Sequence, residues 1–512
     1  MSETAIKTGH PKGLYFLFFT EMWERFSYYG MRAIFILFMT KILLMKDADA
    51  SQIYGSYTGL VYLTPLLGGY LCDKFLGNRR SIIIGGILMA IGQFFMFLSA
   101  SAGIDGGVSL MWMGLTSLIV GNGFFKPNIS TMVGQLYPAN DRRIDSAFTI
   151  FYMGINLGAF FSPLITGSMD FKWGFLSACI GMLIGLIAFI MFQKKYLISE
   201  DGKEIGLPVK KLDVKSILMI LGSIGIVFFM LNFKQMFQSD LEIISYFIYG
   251  SMIVMPIIIL SDKSLSKIEM NRIIVIFILA FFVIFFWGAF EQAGASLTLF
   301  ADRQTDRTLF GWEMPASYFQ SVNPLAVIAL APIFTMIWGF LYIRKLEPSS
   351  PKKMAIGLTL VALGYVVIAI AVKGIGVEDK VSMWWLIGLY VIHTMGELCL
   401  SPIGLSMVSK LAPLRLSSLM MGTWFLANAA ANKFAGTLSA LIPPTAGVEA
   451  TTEPLVYPSF LGFQITNLYE FFMLFVIMTG IAAAILFVLS SWLQKMQHND
   501  HVEGLDLSVE NR

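Results

Sequence analysis

The segment RRSIIIGGILMAIG, residues 79–92, has a near counterpart in KKMAIGLTLVALG, residues 352–364. The matched small residues are Gly85, Ala90 and Gly92 in the first segment and Gly357, Ala362 and Gly364 in the second. SAFTIFYMGIN, residues 146–156, matches SLMMGTWFLAN, residues 418–428, at the same offset. Two separate pairs with one offset indicate a duplicated half, and chance recurrence of small residues in membrane helices is the alternative.

The composition is that of a membrane protein. Of the 512 residues, 56% are hydrophobic and 13% are charged, whereas soluble domains carry about 25% charged residues. The net charge of +3 is spread over short loops, so we expect no nucleic-acid partner. The three cysteines, Cys72, Cys179 and Cys399, fall in or beside apolar segments and are too few for a disulfide framework.

Apolar segments long enough to cross a bilayer, about 20 residues each, fill the chain. We predict about fourteen of them, at 13–43, 52–74, 80–100, 109–133, 146–168, 173–195, 214–233, 241–261, 271–297, 318–344, 354–374, 383–411, 417–441 and 467–495. Loops rich in Lys and Arg alternate with loops that have few or none. The positive-inside rule makes the basic loops cytoplasmic, which also places both termini in the cytoplasm.

The duplication divides these spans into two halves of six, with the pair 214–233 and 241–261 inserted between them. This predicts an all-α integral membrane protein in which two extra helices separate two six-helix bundles, an arrangement that resembles the major facilitator fold. The predicted domains are an N-terminal bundle at 1–200, a linker with the inserted helices at 201–265, a C-terminal bundle at 266–496 and a polar tail at 497–512.

The loop after the second span, GGYLCDKFLGNRR, resembles a cytoplasmic loop motif of the major facilitator superfamily. The residues that carry the resemblance are Asp73, Gly77, Arg79 and Arg80. We expect Asp73 to cap the following helix and to pair with the arginines. An ordinary basic loop is the alternative interpretation.

The first span contains EMWERFSYYGMR, residues 21–32, with Glu21, Glu24, Arg25 and Arg32. A charge at the centre of a membrane helix costs about 2.5–3.5 kcal/mol on insertion scales. Residues three or four apart share a helix face, so these charges form one polar stripe that must meet protein or water. A static ion-pair network explains the first three equally well. Arg32 has no acidic neighbour on its helix, so its partner lies elsewhere or is a ligand.

Three further charges are isolated in apolar spans, namely Lys126, Glu291 and Glu397. Aligning Pro127 with Pro402 places Lys126 opposite Ser401, one turn from Glu397, so we predict that Lys126 and Glu397 face each other across a central cavity. One side of that cavity would be positive and the other negative. The positive residues would be Arg25, Arg32 and Lys126, and the negative ones Glu291 and Glu397. Such a site suits a zwitterion.

Uncharged residues complete the predicted site. The amides of Asn156 and Asn323 can bond to peptide groups, although Asn323 precedes Pro324 and can equally satisfy a proline-broken helix. The predicted side-chain pockets are formed by Tyr29, Tyr62, Trp287 and Trp424. Packing is the alternative role for these aromatic residues, which are common in membrane helices.

An ion gradient is the expected energy source, because the chain has no phosphate-binding G-x-x-x-x-G-K-[ST] motif. A buried glutamate whose cationic partner changes during transport can take up and release a proton. Glu291 is the first candidate, and the cluster of Glu21, Glu24 and Arg25 is the second. His393 lies within a span, but we do not expect it to be the main proton carrier.

Several motifs together resemble the proton-dependent oligopeptide transporter family over essentially the whole chain. They are the first-span pattern Glu21-x-x-Glu24-Arg25-Phe26-x-Tyr28-Tyr29-Gly30, FYMGINLG at 151–158, FFWGAFEQAG at 285–294, QSVNP at 320–324 and GELCLSP at 396–402. The two inserted helices are typical of bacterial members of that family. Animal members carry a histidine in the second span. The second span of this chain has no histidine.

The resemblance implies proton-driven import of di- and tripeptides across a bacterial inner membrane. It implies that Arg32 and Lys126 bind the peptide carboxylate, that Glu397 binds the amine, and that the amides of Asn156 and Asn323 bind the backbone. It also implies proton coupling through Glu291 and the first-span cluster, and a gating pair of Lys126 and Glu397.

Two other functions compete with this interpretation. A carrier of the same fold can move a different solute, and dipeptide competition for uptake separates the two. An intramembrane enzyme is the other, but neither HExxH nor GxSxG is present. We expect no enzyme activity, cofactor, metal or obligate protein partner, only peptide, protons and membrane lipid.

Overall fold

The computed structural model describes residues 9–138, 141, 143–210, 212–376, 379–444 and 457–497. Its helices are α1 (Lys12–Lys41), α2 (Asp47–Leu71), α3 (Asn78–Ala102), α4 (Gly107–Gln135), α5 (Ile144–Thr166), α6 (Phe171–Tyr196), α7 (Val214–Phe237), α8 (Ile243–Leu260), α9 (Lys267–Phe290), α10 (Ser296–Arg303), α11 (Val322–Ile343), α12 (Ser350–Ala371), α13 (Met383–Leu411), α14 (Ser417–Ser439) and α15 (Leu468–Met496). The predicted polar tail lies outside the described residues from position 498 onward.

Short strands of two residues occur only in loops of the described part of the chain. They are β1 (Thr305–Asp306), β2 (Thr308–Leu309), β3 (Trp312–Glu313), β4 (Val381–Ser382), β5 (Ser459–Phe460) and β6 (Phe463–Gln464). β1 pairs in parallel with β4, while β2 with β3 and β5 with β6 form antiparallel hairpins.

The all-α membrane fold is confirmed. Within the described residues, 11 helices are long and apolar enough to cross a membrane, and each predicted span coincides with a long helix. One predicted span, 271–297, is not continuous. α9 ends at Phe290, a 3₁₀ turn covers Glu291–Gly294, and α10 follows.

Side chains from neighbouring helices stabilise this break. The Tyr365 hydroxyl donates to the carbonyl of Ala289 at 2.7 Å, and the Tyr390 hydroxyl donates to that of Ala293 at 3.3 Å. Backbone groups released from a helix inside a bilayer must find such partners, because lipid offers none. The break is therefore built into the packing of α12 and α13 around Glu291.

The chain divides into two compact units. Unit 1 contains residues 1–38 and 63–239, and unit 2 contains residues 39–62 and 240–512. The dividing point lies between α7 and α8, within the inserted helix pair, and a further stretch of α1 and α2 belongs to unit 2. The predicted domain boundaries at 200 and 265 stay predictions.

The two repeats use the same backbone contact. In unit 1 a Cβ added to Gly85 of α3 would lie 2.6 Å from the carbonyl oxygen of Gly121 in α4. In unit 2 a Cβ added to Gly357 of α12 would lie 2.8 Å from that of Gly396 in α13. Small residues let membrane helices approach this closely. The glycines matched in the sequence thus occupy equivalent crossings.

The loop between α2 and α3 makes contacts that differ from those expected. Gly77, with φ of 76°, is the N-cap residue of α3, and no side chain caps the helix. Asp73 is exposed, so its expected capping role is wrong. The nearly buried Arg79 pairs instead with Glu204 of the linker at 2.7 Å, and Arg80 donates to a linker carbonyl. The arginines therefore fasten the linker after α6.

A second arginine contact holds the same linker. Arg143 bonds to Asp141 at 2.6 Å and to Glu200 at 2.8 Å, and it also donates to the carbonyl of Gly9. The hydrogen bonds from Arg143 lower the pKa of the Asp141 carboxyl to about 2. This cluster joins the N-terminal segment, the loop before α5 and the linker within unit 1.

The glycine crossing in unit 2 gives a stability prediction. Gly357→Val should force α12 and α13 apart and lower stability by about 1–3 kcal/mol, as overpacking does. The measurement is the unfolding temperature of the purified protein in detergent. Gly222→Val in α7 is the control, because a Cβ at Gly222 meets nothing within 4 Å. Equal unfolding temperatures for the two variants would contradict the close crossing.

Candidate functional site

The charged stripe of α1 forms a buried ion-pair network in unit 1. The Nε of Arg25 lies 2.7 Å from Oε1 of Glu21 and 2.8 Å from Oε2 of Glu24. The three side chains are at most 4% exposed. The amide of Asn122 in α4 donates to the other Glu24 oxygen at 3.1 Å. Two carboxylates therefore share one guanidinium in a region that water does not reach freely.

This network is not fully satisfied. Oε2 of Glu21, Nη2 of Arg25 and Oδ1 of Asn122 make no hydrogen bond within the described residues. An unpaired buried polar atom costs about 1–3 kcal/mol. The coupling role of this cluster stays a prediction, and so does its alternative role as a static ion-pair network.

The fifth-span motif FYMGINLG holds α5 against this network. A Cβ added to Gly158 would lie 2.4 Å from the carbonyl oxygen of Met22 and 3.0 Å from Cβ of Arg25. One turn earlier, a Cβ at Gly154 would lie 3.1 Å from the carbonyl oxygen of Phe18. The two glycines let the backbone of α5 reach the charged face of α1. The motif is therefore explained in part by packing.

The other predicted residues of unit 1 lie near this face. The Arg32 guanidinium sits over the Tyr29 ring, 5.8 Å from its centroid, and is 7% exposed. Lys126 of α4 is half-buried and acts electrostatically on Glu24. Asn156 donates to the carbonyl of Tyr152 at 2.9 Å, so its amide is tied to its own helix but keeps its oxygen as an acceptor.

In unit 2, Glu397 of α13 is held by an amide. Asn323 donates to Oε2 of Glu397 at 2.8 Å and to the hydroxyl of Thr394 at 3.0 Å. Glu397 is 9% exposed. In this structure Asn323, beside Pro324, is thus a donor to one carboxylate oxygen. Its predicted contact with a peptide stays a prediction.

Glu291 opens the 3₁₀ turn after α9 and is 4% exposed. The next side chain, Gln292, donates to the carbonyls of Gly288 and Ala435, each at 2.9 Å, and accepts from Ser296 at 2.6 Å. Gln292 therefore fixes the turn to α14. The sequence motif FFWGAFEQAG marks the break, but periodicity alone does not reveal it.

His393 occupies a packing position. A Cβ added to Gly364 would lie 2.5 Å from Cδ2 of the His393 ring, and in the other repeat a Cβ at the matched Gly92 would lie 2.7 Å from Cγ of Leu118. The ring nitrogen Nε2 is 3.2 Å from the carbonyl oxygen of Val361. His393 thus takes the place that a leucine has in unit 1.

The aromatic candidates differ in their surroundings. Trp424 is 4% exposed, and a Cβ added to Gly404 would lie 2.3 Å from its ring, so its ring packs against α13. Its place in a side-chain pocket stays a prediction. Tyr62, Trp287 and Ser401 are half-buried. The predicted positive residues belong to unit 1 and the negative ones to unit 2. The pair of Lys126 and Glu397 stays a prediction.

The sequence reasoning missed the buried cation Lys433. Lys433 of α14 is 1% exposed and lies within the predicted span 417–441. The signal was a lysine in an otherwise apolar segment, the same signal that identified Lys126. Asn122 was also missed, because amides occur in membrane helices for many reasons. Within the described residues, no group of three or more His, Cys, Asp or Glu side chains can hold a metal ion.

Comparisons with known proteins agree on one family. The model of the POT family matches residues 79–452. The peptide transporter YePEPT of Yersinia enterocolitica is 37% identical, with 84% of this chain and 88% of that protein aligned. The dipeptide and tripeptide permease A of Escherichia coli is 31% identical, with 96% and 94% aligned. The crystal structure of a POT family transporter in complex with a thioalcohol-conjugated peptide is 33% identical, covers 95% of this chain and 97% of that one, and has a TM-score of 0.79.

The packing role of His393 can be tested by restoring the residue of the other repeat. His393→Leu should keep both the unfolding temperature and the transport activity, because leucine fills the equivalent position in unit 1. Glu397→Leu, one turn further on the same helix, serves as the matched variant and should lose uptake. Loss of uptake with an unchanged unfolding temperature in His393→Leu would assign this histidine a role in transport.

Proposed function

The chain belongs to the POT family of transporters, and on that premise we propose that it imports di- and tripeptides together with protons. The observation that carries the proposal is the buried and incompletely satisfied network of Glu21, Glu24 and Arg25. Carboxylates held in this way can change both partner and protonation state at little structural cost. Such groups are what a carrier needs in order to link proton entry to a change of shape.

Peptide binding is proposed to use opposite charges at the two ends of the substrate. Arg32 and Lys126 would bind the carboxylate through charge-assisted hydrogen bonds, and Glu397 would bind the amine. Asn323 supports this role, because its amide already orients the Glu397 carboxylate at 2.8 Å. Asn156 would accept a hydrogen bond from a peptide N–H through its side-chain oxygen. That oxygen takes no part in the bond to Tyr152, in which the side-chain nitrogen is the donor.

Proton coupling is proposed to use Glu291 and the α1 cluster. Glu291 lies at a helix break fixed by Tyr365, Tyr390 and Gln292. A change of tilt between α9 and α10 would move its carboxylate relative to its surroundings. Lys126 and Glu397 would pair when the binding site closes on one side. The pairing would keep both charges out of contact with lipid.

The protein is an integral membrane protein, and we further propose that it lies in a bacterial inner membrane with both termini in the cytoplasm. The basic loops on one side support this orientation through the positive-inside rule. Arg79, Arg80 and Arg143, which fasten the linker, all belong to that basic side.

The test of the proposed function is uptake of labelled dialanine into liposomes that contain the purified protein. Accumulation should require an inward proton gradient and should be abolished by a protonophore. Empty liposomes are the control, and unlabelled dipeptides should compete while single amino acids should not. Absence of uptake by protein shown to be folded would indicate a different solute.

Glu291→Gln separates coupling from binding. The variant should lose accumulation driven by the proton gradient, because glutamine cannot carry the proton, and should retain exchange of labelled for unlabelled peptide. Both are measured in the same liposomes. Glu313→Gln, in an exposed loop of unit 2, is the control for loss of a carboxylate. Wild-type accumulation by Glu291→Gln would exclude this residue as the main proton carrier.

A further inference from the structure

Lys433 lies at a junction of three helices, and the residues that meet there all belong to unit 2. Its ammonium donates to Oε1 of Gln52 at 3.1 Å and to the hydroxyl of Ser56 at 3.0 Å, both in α2. It also lies 3.1 Å from Oε2 of Glu242, the residue that precedes α8 in the inserted helix pair. The lysine is 1% exposed, whereas the Glu242 side chain is 39% exposed.

The same junction contains a very close contact between α2 and α14. A Cβ added to Gly55 would lie 2.6 Å from Cα of Gly436, and the hydroxyls of Ser51 and Ser439 are 2.9 Å apart. One turn further, a Cβ at Gly59 would lie 3.1 Å from the carbonyl oxygen of Ala429. Small residues at successive turns produce this kind of helix contact in membranes.

The inserted helix completes that contact. A Cβ at Gly59 would also lie 3.2 Å from Cδ1 of Ile248, which is fully buried, so α8 packs where α2 meets α14. The hydroxyl of Ser245 donates to Oε2 of Glu242 at 2.8 Å and holds its carboxylate towards Lys433. The insertion thus supplies both an apolar contact and the negative charge that a buried ammonium requires.

By sequence, α2 belongs to the first repeat and α14 to the second. Carriers of this architecture open and close by moving one repeat against the other, so contacts between helices of different repeats must form and separate during the cycle. When Gln52 and Ser56 move away, Lys433 loses two acceptors. Water can replace them once the contact opens, but in the closed contact only a carboxylate neutralises the charge.

We propose that the inserted helix pair acts as a latch on transport, in which Glu242 neutralises Lys433 and so stabilises the closed contact between α2 and α14. In this proposal Lys433 is a positioning residue, since it acts through its contacts with α2. The inserted helices then have a definite task, which is to set how often this end of the carrier opens. This goes beyond the proposed function, because it holds for any solute.

The test measures how often the contact opens. Ser439 is fully buried, so a cysteine there reacts with a water-soluble maleimide only when α2 and α14 separate. Ser439→Cys is introduced after Cys72, Cys179 and Cys399 are replaced by alanine. Glu242→Gln should raise the labelling rate about ten-fold, because the closed contact then lacks the carboxylate that lies against the Lys433 ammonium. Asp105→Asn, an exposed acid in another loop, should leave the rate unchanged.

A double-mutant cycle assigns the effect to the pair. In a Lys433→Met background, the contact between α2 and α14 contains no ammonium. There Glu242→Gln should produce no further change in the labelling rate. An unchanged rate in the single variant, or an equal increase in the Lys433→Met background, overturns the proposal. If Glu242→Gln is not recovered folded, Glu242→Asp replaces it, and a wild-type rate with this shortened side chain would count against the latch.

A second cysteine distinguishes local opening from general loosening. Cys179 is buried in unit 1, and its labelling in a protein that retains it should be unaffected by Glu242→Gln. Equal acceleration at Cys179 would mean that Glu242 stabilises the whole fold and would refute the latch. None of these readouts involves a substrate, so failure of the latch and failure of peptide uptake are distinguishable.

Discussion

Every charge that lies among the helices of this protein must find a partner in protein, water or a ligand, because lipid offers none. Three local arrangements follow from that constraint. In α1, Arg25 neutralises two carboxylates at once. In α13, an amide holds Glu397. At α14, Lys433 takes its counter-charge from a helix that belongs to neither repeat. The helices are arranged so that these partners can meet, and the same partners limit how the helices can move.

The scaffold is repeated, but the chemistry is not. The crossing of Gly85 with Gly121 recurs as that of Gly357 with Gly396, with nearly the same approach of the backbones. A glycine pair at a helix crossing leaves little room for variation, since any side chain would separate the helices. The residues beside the crossing have more freedom. Leu118 in one repeat and His393 in the other occupy the same position. Both pack on a glycine, although one side chain is apolar and the other is polar.

The sequence predicted features that depend on one helix or on local pattern. The spans, the charged face of α1 and the duplication follow from hydropathy, from a spacing of three or four residues and from a shared offset. It could not predict partners, since these depend on how helices meet. Asp73 is of a residue type that often caps helices, yet Gly77 is the N-cap residue of α3. Arg79 bonds to a glutamate more than a hundred residues away. The break at Glu291 likewise depends on tyrosines from α12 and α13.

The partner of Lys433 could not be predicted from the sequence either. A lysine in an apolar span signals that some partner exists, but its acid comes from an insertion whose presence the duplication cannot explain. An insertion that merely filled lipid-facing space would need no contact with a buried cation. Here it packs Ile248 at the contact of α2 with α14 and places a carboxylate there.

The alignment that places Leu118 opposite His393 also places Asn122 opposite Glu397, and the two residues have inverse roles. In unit 1 the amide on α4 donates to a carboxylate on α1, and in unit 2 the carboxylate on α13 accepts from an amide on α11. Each repeat therefore has one amide bonded to one buried carboxylate, but the acid lies on a different helix. A symmetric backbone can thus direct one acid to a charged cluster within its own unit and leave the other acid with a neutral partner. Only the second acid is held by a neutral donor that a ligand's ammonium can replace without separating an ion pair. That difference supports the proposal that Glu397, and not Glu24, binds the substrate amine.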